Sequence, residues 1–200
     1  MSDIGPMPAD AAWVVIDTPL VPGDLEAFCR DLERLYRINP YLEFRCWKSV
    51  APDRIAAEFR NLSIRRDFKL ELALVAGRTA AMDFTVRYSS GIKRSTRFGI
   101  EPSATGSRLK ITDDYSGAPA SVDTGEVDRS LQAWGVALRE YLLRDQRWGW
   151  CGPWRWYMRR VWVPMKPSAR RITFIILVVT LAEIALIALV MAIYWIEYRL

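Results

Sequence analysis

Four charged residues within predicted strands are the side chains best placed to do chemistry: Asp83, Arg87, Arg97 and Asp113. Asp83 and Arg87 alternate with apolar neighbours, which favours a solvated face over a catalytic pair. The sequence contains no histidine. Serine–histidine and cysteine–histidine nucleophiles, histidine-ligated haem and the usual catalytic zinc sites are therefore excluded. With no paired acid and base, we expect a protein that is not an enzyme and holds no metal or cofactor.

The three cysteines, Cys29, Cys46 and Cys151, form no CxxC pair and no even disulfide set. We expect reduced thiols, as is usual in the cytoplasm. Cys29 and Cys46 are predicted to be small buried apolar residues.

Residues 148–171 combine tryptophans with arginines and predict a surface that binds membranes. Tryptophan prefers the membrane–water interface, and nearby basic side chains attract anionic head groups. The same mixture can bind single-stranded nucleic acid, but the apolar stretch that follows favours a lipid bilayer, and we expect no nucleic acid. The predicted interfacial residues are Trp148, Trp150, Trp154, Arg155, Trp156, Arg159, Arg160 and Trp162.

Residues 172–196 contain a single charge, Glu183. A helix rises about 1.5 Å per residue, so about 20 apolar residues cross a hydrocarbon core of about 30 Å. We predict a transmembrane helix, because a chain this short cannot bury such a helix on every face. Glu183 is predicted to contact an integral membrane protein. The alternatives are a protonated glutamate tolerated in lipid, or one paired with water.

The net charge of +5 is concentrated just before this apolar stretch, ending in Arg170 and Arg171. Lysine and arginine accumulate on the cytoplasmic side of membrane helices. We therefore expect a single-pass, tail-anchored protein whose N-terminal domain is cytoplasmic and whose C-terminus lies across the bilayer. The first ten residues do not resemble a signal peptide.

Periodicity divides residues 1–147 into helices and strands. Apolar residues at three- and four-residue steps predict a helix over 23–38, with an optional short helical turn at 40–44. Period-two alternation then predicts antiparallel strands. A second helix is predicted to run to about residue 147, starting from a capping box at Asp123. The predicted strands cover 13–16, 45–50, 54–62, 68–74, 82–88, 93–101 and 108–115.

This order of elements resembles the START-like superfamily, also called SRPBCC or helix-grip proteins, which includes polyketide cyclases and coenzyme Q-binding proteins. The suggestive segments are LERLYRINP at 32–40, ATGSRL at 104–109 and WGVAL at 134–138. The resemblance covers about residues 11–147. It implies an α+β fold in which an antiparallel sheet wraps a long C-terminal helix, here followed by one transmembrane helix.

The resemblance also implies an apolar cavity between the sheet and the long helix. Whether ligand or side chains fill such a cavity is open at the level of sequence. Tyr88 is in phase with the apolar strand residues, so its hydroxyl could orient a ligand, although a hydrogen bond to the backbone is the commoner role of a buried tyrosine. The predicted cavity residues are Phe68, Leu70, Leu72, Met82, Phe84, Val86, Tyr88, Phe98, Leu131, Trp134 and Leu138.

Two functions follow as hypotheses. In the first, a membrane-tethered START-like module binds or presents an apolar molecule, a lipid or a quinone, at the cytoplasmic membrane face. In the second, the chain is a single-span accessory subunit of a larger respiratory or photosynthetic membrane complex, and its domain is a docking surface. An enzyme of the cyclase type is the least favoured reading.

Overall fold

A computed structural model describes residues 10–76, 82–116 and 124–199. The chain divides into two compact units, Met1–Pro164 and Met165–Leu200. The predicted capping residue Asp123 lies outside the described residues.

The first unit is built on a seven-stranded antiparallel sheet with strand order β1-β7-β6-β5-β4-β3-β2. Each strand except β1 pairs with its neighbour in the sequence, and β1 closes the other edge against β7. The pairing confirms the predicted antiparallel sheet. The strands are β1 (Ala11–Thr18), β2 (Leu42–Ala51), β3 (Arg54–Asn61), β4 (Arg66–Ala76), β5 (Asp83–Tyr88), β6 (Ser95–Ser103) and β7 (Gly106–Asp114).

Helices of the first unit pack against this sheet. In the first unit they are α1 (Pro22–Arg30), α2 (Leu32–Arg37), α3 (Thr124–Trp148), α4 (Gly152–Tyr157) and a π-helical segment (Met158–Trp162). The second unit contains α5 (Pro167–Arg199). The sheet and the long helix α3 confirm the predicted α+β, helix-grip architecture.

The prediction of a single helix over 23–38 is wrong, because the helical segment is interrupted at Asp31. Asp31 has φ −76° and ψ 76°, and its side chain accepts a hydrogen bond from the Arg34 N–H at 3.2 Å. An aspartate that caps a following helix starts a new element. The optional helical turn at 40–44 is also absent, since β2 begins at Leu42.

Trp134 of α3 anchors the long helix to α2 and to the sheet. Its indole N–H donates to the Leu35 carbonyl at 3.1 Å. The centre of its ring lies 5.2 Å from that of Tyr36 and 6.0 Å from that of Phe98. The next residue, Gly135, permits close approach to β1, because a Cβ there would lie 2.7 Å from a Val14 methyl. The packing of α3 against α2 and the sheet therefore depends on Trp134 and Gly135.

Arg34 fastens α2 to the C-terminal half of α3. Its guanidinium lies 4.8 Å from the centre of the Phe28 ring and 4.9 Å from that of Tyr141. It donates to the Tyr141 hydroxyl at 2.9 Å and to Asp145 at 3.0 Å. A planar guanidinium suits this combination of stacking and directed hydrogen bonds.

The first unit extends beyond α3 to Pro164. Met158 and Val163 are buried in the same apolar core as the sheet, and Trp162 packs on Tyr141 with ring centres 5.6 Å apart. The predicted domain boundary at residue 147 falls inside this unit. Sequence alone assigned these residues to the membrane interface because their composition is aromatic and basic.

Helix α5 is the described helix that is long and apolar enough to cross a membrane. The apolar part, Pro167–Tyr198, has a mean hydropathy of 2.9 in its most apolar window, and none of that window is buried. The predicted span 172–196 and Glu183 lie within it.

Candidate functional site

A pocket opens in the first unit where β3, β4 and β5 meet the turn before β6. Its cavity volume is about 60 Å³. Aromatic and aliphatic side chains form one part of the wall, and hydroxyls, one amide and one ammonium group form its polar part. The lining residues are Phe59, Asn61, Ser63, Ile64, Phe68, Leu70, Tyr88, Ser90, Gly91, Ile92, Lys93, Tyr115 and Ser130.

A buried carboxylate, Asp113, lies behind the polar part of the wall. It has no exposed surface. One oxygen accepts from the Thr96 hydroxyl at 2.5 Å, and the other accepts from the Tyr115 hydroxyl at 3.1 Å and from the Lys93 ammonium. A buried charge is costly unless it is paired and hydrogen-bonded, and Asp113 is both.

A chain of hydroxyls continues from Asp113 into the core. The Tyr88 hydroxyl lies 2.7 Å from that of Thr96 and 2.7 Å from that of Tyr36. Because an ionised carboxylate only accepts, Thr96 donates to Asp113, Tyr88 donates to Thr96, and Tyr36 donates to Tyr88. Burial, with the nearby Asp113 charge, raises the pKa of the Tyr88 phenol above its usual value. Burial also raises the pKa of Tyr36, and the neighbouring Tyr88 raises it further. Both phenols therefore stay protonated at neutral pH.

Solved structures with the same architecture identify the fold. A protein from Thermus thermophilus superposes with a TM-score of 0.54 at 14% sequence identity, covering 68% of this chain and 98% of that chain. A START superfamily protein from Mycobacterium smegmatis superposes with a TM-score of 0.53 at 14% identity, covering 67% and 97%. The chain has a START-like fold. A protein from Deinococcus radiodurans gives a TM-score of 0.51 at 17% identity, covering 70% and 99%.

No family model and no curated protein matches the sequence. The START-like fold therefore rests on the three-dimensional arrangement of its elements. At these identities the likeness shows the fold alone.

Three of the predicted cavity residues, Phe68, Leu70 and Tyr88, line the pocket of this START-like domain. Seven others are packed in its apolar core, where α3 and α2 cover the sheet: Leu72, Phe84, Val86, Phe98, Leu131, Trp134 and Leu138. Met82, the residue before β5, is 41% exposed and is not among the lining residues.

Among the polar residues of the site, sequence reasoning named Asp113 and Tyr88 but missed Lys93, Thr96 and Tyr115. A signal existed in β7, where Asp113 alternates in phase with the buried residues Leu109 and Ile111. Such an acid must find partners inside the fold. Nothing in the sequence pairs it with Lys93, which lies in the turn before β6 and reaches Asp113 only in three dimensions.

The other predicted polar candidates lie outside the pocket. Asp83 and Arg97 form an ion pair of 2.6 Å between neighbouring strands, and Arg87 is exposed. Cys29 is buried, but Cys46 is exposed, so the prediction of a buried Cys46 is wrong. The register of β2 shifts between Phe44 and Cys46, and such a bulge changes which side chains face the core. The described residues contain no cluster of metal-ligating side chains.

The predicted interfacial residues divide into two groups. Trp150 and Trp156 are 79% and 63% exposed, and Trp148 is 45% exposed. Arg155, Arg159 and Arg160 are exposed as well. Trp154 and Trp162 instead pack against the core of the START-like domain. The segment therefore attaches to the domain through one set of side chains and offers aromatic and basic groups through the other.

Proposed function

We propose that this protein is a membrane-tethered START-like module that binds an apolar molecule, such as a lipid or quinone, and presents it at the cytoplasmic membrane face. The observation that carries the proposal is the pocket, in which Phe59, Phe68 and Leu70 form an apolar wall beside Tyr88 and Lys93. Ligand sites combine mostly apolar walls with a few polar groups in this way.

The proposed tether is α5, whose apolar length suffices for a bilayer and whose apolar window is unburied. The proposed contact with head groups is the exposed set of Trp150, Trp156 and the neighbouring arginines. Indole rings and basic side chains are both favoured at an anionic interface. These features support a module that works on a membrane surface.

The size of the pocket limits how the molecule is held. A cavity of about 60 Å³ is smaller than the roughly 300–1,000 Å³ typical of sites that enclose a ligand. We infer that one end of the molecule enters between Ile64, Phe68 and Ile92, while the rest stays outside or in lipid. Such partial insertion is suited to presentation.

We propose binding over catalysis for the same pocket. Both oxygens of Asp113 already accept hydrogen bonds, and the sequence offers no histidine to act as a general base. The proposal thus needs a ligand and no reaction.

The test is to fill the pocket. The full chain is purified in a non-ionic detergent, extracted with organic solvent, and the extract is analysed by mass spectrometry. Ile64 lines the pocket from a turn, so Ile64→Trp adds bulk there. Val50→Trp is the matched control, because Val50 is exposed at the end of β2.

We expect an apolar species to be enriched in the extracts of wild type and Val50→Trp. In the extract of Ile64→Trp its amount should fall at least about fivefold, because the added indole fills the pocket and excludes the ligand. If wild type enriches no apolar species over a detergent blank, or if Ile64→Trp retains it fully, the binding function is wrong.

The accessory-subunit alternative rests on Glu183, the acid within the proposed span. An integral membrane protein would be its partner. The two functions make different predictions for substitutions at Ile64 and Glu183.

A further inference from the structure

The cation in the pocket wall is held by the buried acid behind it. Lys93 lines the pocket while donating to Asp113, and its ammonium lies 5.9 Å from the centre of the Tyr115 ring. The Lys93 side chain is 25% exposed and that of Asp113 is 0% exposed. An ammonium carries three N–H donors. Asp113 therefore leaves Lys93 with donors for a further acceptor.

Three hydroxyls around the pocket already donate their protons within the protein. In the order set by Asp113, Tyr88 donates to Thr96, and Tyr115 donates to Asp113 itself. Between two lining residues, the Ser63 hydroxyl donates to the Asn61 side chain at 2.7 Å. Because an ammonium has donors and no acceptor, the polar group of a ligand that reaches Lys93 must accept a hydrogen bond.

Charge balance decides the class of acceptor. The charges of Lys93 and Asp113 compensate each other, so the pair is neutral. A carboxylate or phosphate beside the pair would leave a net negative charge at a partly dry site, next to Asp113. Uncompensated buried charge is strongly unfavourable, whereas an uncharged acceptor keeps the balance.

We infer that the pocket selects an apolar molecule whose inserted end carries an uncharged hydrogen-bond acceptor, a carbonyl or ether oxygen, which accepts from Lys93. Asp113 is the positioning residue that fixes the ammonium and cancels its charge. This inference rests on the proposed binding function and names the ligand class.

Three probes of similar size separate the possibilities: acetophenone with a neutral carbonyl, benzoate with a charge, and ethylbenzene with no polar group. The full chain is placed in phosphatidylcholine nanodiscs with labelled isoleucine methyl groups. Shifts of Ile64 and Ile92, which line the pocket, report binding there. Shifts of Ile175 and Ile184 on α5 report partitioning into lipid.

In wild type we expect acetophenone to bind about tenfold more tightly than either other probe, as a hydrogen bond from a charged donor gives. In Asp113→Asn the Lys93 charge is no longer cancelled, and benzoate should become the preferred probe. A purely structural role for Asp113 would not reverse this preference.

The double variant Lys93→Met/Asp113→Asn removes both charges together, which a folded core tolerates better than one buried charge. It should bind acetophenone and ethylbenzene equally while keeping the ethylbenzene affinity of wild type. Equal binding of the three probes in wild type, or preference for benzoate, would overturn this inference alone. If ethylbenzene fails to shift Ile64 and Ile92, the proposed binding function fails with it.

Discussion

The hydroxyl oxygens of Tyr36 and Tyr88 lie 2.7 Å apart, so a helix residue and a strand residue meet inside the core. Tyr36 belongs to α2 and Tyr88 to the last position of β5. Through Tyr88 the hydroxyl chain reaches Thr96 and Asp113 at the pocket wall. This link connects the helix that fastens α3 with the side chains that would meet a ligand.

The donor order in this series of hydroxyl hydrogen bonds predicts that two similar substitutions lower the free energy of unfolding by different amounts. Tyr88→Phe leaves the Tyr36 proton without its acceptor and should lower the free energy of unfolding by about 1–3 kcal/mol. Tyr36→Phe removes a donor but leaves the Tyr88 bond to Thr96 intact, and should cost about 1 kcal/mol. Urea unfolding of the full chain in micelles, followed by tryptophan fluorescence, measures both.

Tyr41→Phe is the control, because the described hydrogen bonds of Tyr41 involve its backbone. Its stability should match wild type. A larger cost for Tyr36→Phe than for Tyr88→Phe would contradict the assigned donor order.

Alkaline pH should destabilise the first unit in two steps. Burial, followed by the charge of Glu26, raises the pKa of the Cys29 thiol to about 12. Above the ordinary thiol pKa of about 8.5, the unfolded state releases a proton that the folded state keeps. The contribution of the Cys29 thiol to the free energy of unfolding is therefore complete below about pH 8.5 and is lost progressively as the pH rises above it. Burial raises the pKa of Tyr36 and Tyr88 too, so a further loss begins above about pH 10.

Cys29→Ala separates the two steps. It should flatten the dependence of unfolding free energy on pH between about pH 8.5 and 10, where the slope is at most about 1.4 kcal/mol per pH unit. Cys46→Ala, at an exposed cysteine, should leave the curve unchanged. Identical curves for wild type and Cys29→Ala would show that the thiol does not contribute.

A fragment ending at Pro164 should fold cooperatively, and a fragment ending at residue 147 should be much less stable. The shorter fragment lacks Met158 and Val163, which are buried in the core, and Trp162, which packs on Tyr141. Burial of each large apolar side chain contributes about 1.5–3 kcal/mol, so we expect a loss of at least about 3 kcal/mol. Thermal unfolding followed by near-ultraviolet circular dichroism compares the two fragments.

The longer fragment with Met158→Ala and Val163→Ala should reproduce part of this loss. Equal stability of the two fragments would place the domain boundary back at residue 147.

The different outcomes for strands, helix ends and pocket follow from the range of the interactions. Period-two alternation is local, so β4 and β5 were predictable from sequence. The break at Asp31 was not, because its neighbours continue the helical spacing and only the cap to the Arg34 N–H interrupts it. The Lys93–Asp113 pair joins a turn to a strand, and no local pattern contains it.

The tryptophans show the same limit within one segment. Composition places all of them at a membrane surface, yet Trp162 packs on Tyr141 while Trp156 stays exposed. Which indole faces the domain depends on how α4 and the π-helical segment pack against it, and this packing cannot be read from composition.

The exposed tryptophans should bind anionic membranes. The fragment ending at Pro164 should associate with vesicles of phosphatidylserine and phosphatidylcholine, and less at high salt, because salt screens its exposed arginines. Trp150→Ala/Trp156→Ala should weaken binding at least about tenfold, since the interface favours indole rings. Sedimentation with vesicles measures the bound fraction.

Trp13→Ala is the matched control, because Trp13 is an exposed tryptophan on β1. It should bind vesicles like wild type. Trp162→Ala should lower stability through lost packing. If the Trp150/Trp156 variant binds as well as the control, the head-group contact is wrong.

Glu183 should determine whether the apolar helix has a protein partner. In the proposed span, an ionised, unpaired acid at the centre costs about 2.5–3.5 kcal/mol on insertion scales. Glu183→Leu removes that cost, so the variant should insert at least as well as wild type. A partner that hydrogen-bonds the carboxyl would be lost, because leucine offers no polar group.

The measurement is co-purification from native membranes at equal expression, with Ile184→Leu as a neighbouring apolar control on α5. We expect wild type and Ile184→Leu to retain an integral membrane protein that Glu183→Leu loses. If Glu183→Leu retains every partner, the acid is incidental and the accessory-subunit alternative loses its residue-level support. If the partner is lost while the pocket of Glu183→Leu still takes its apolar ligand, the two functions belong to different parts of the same chain.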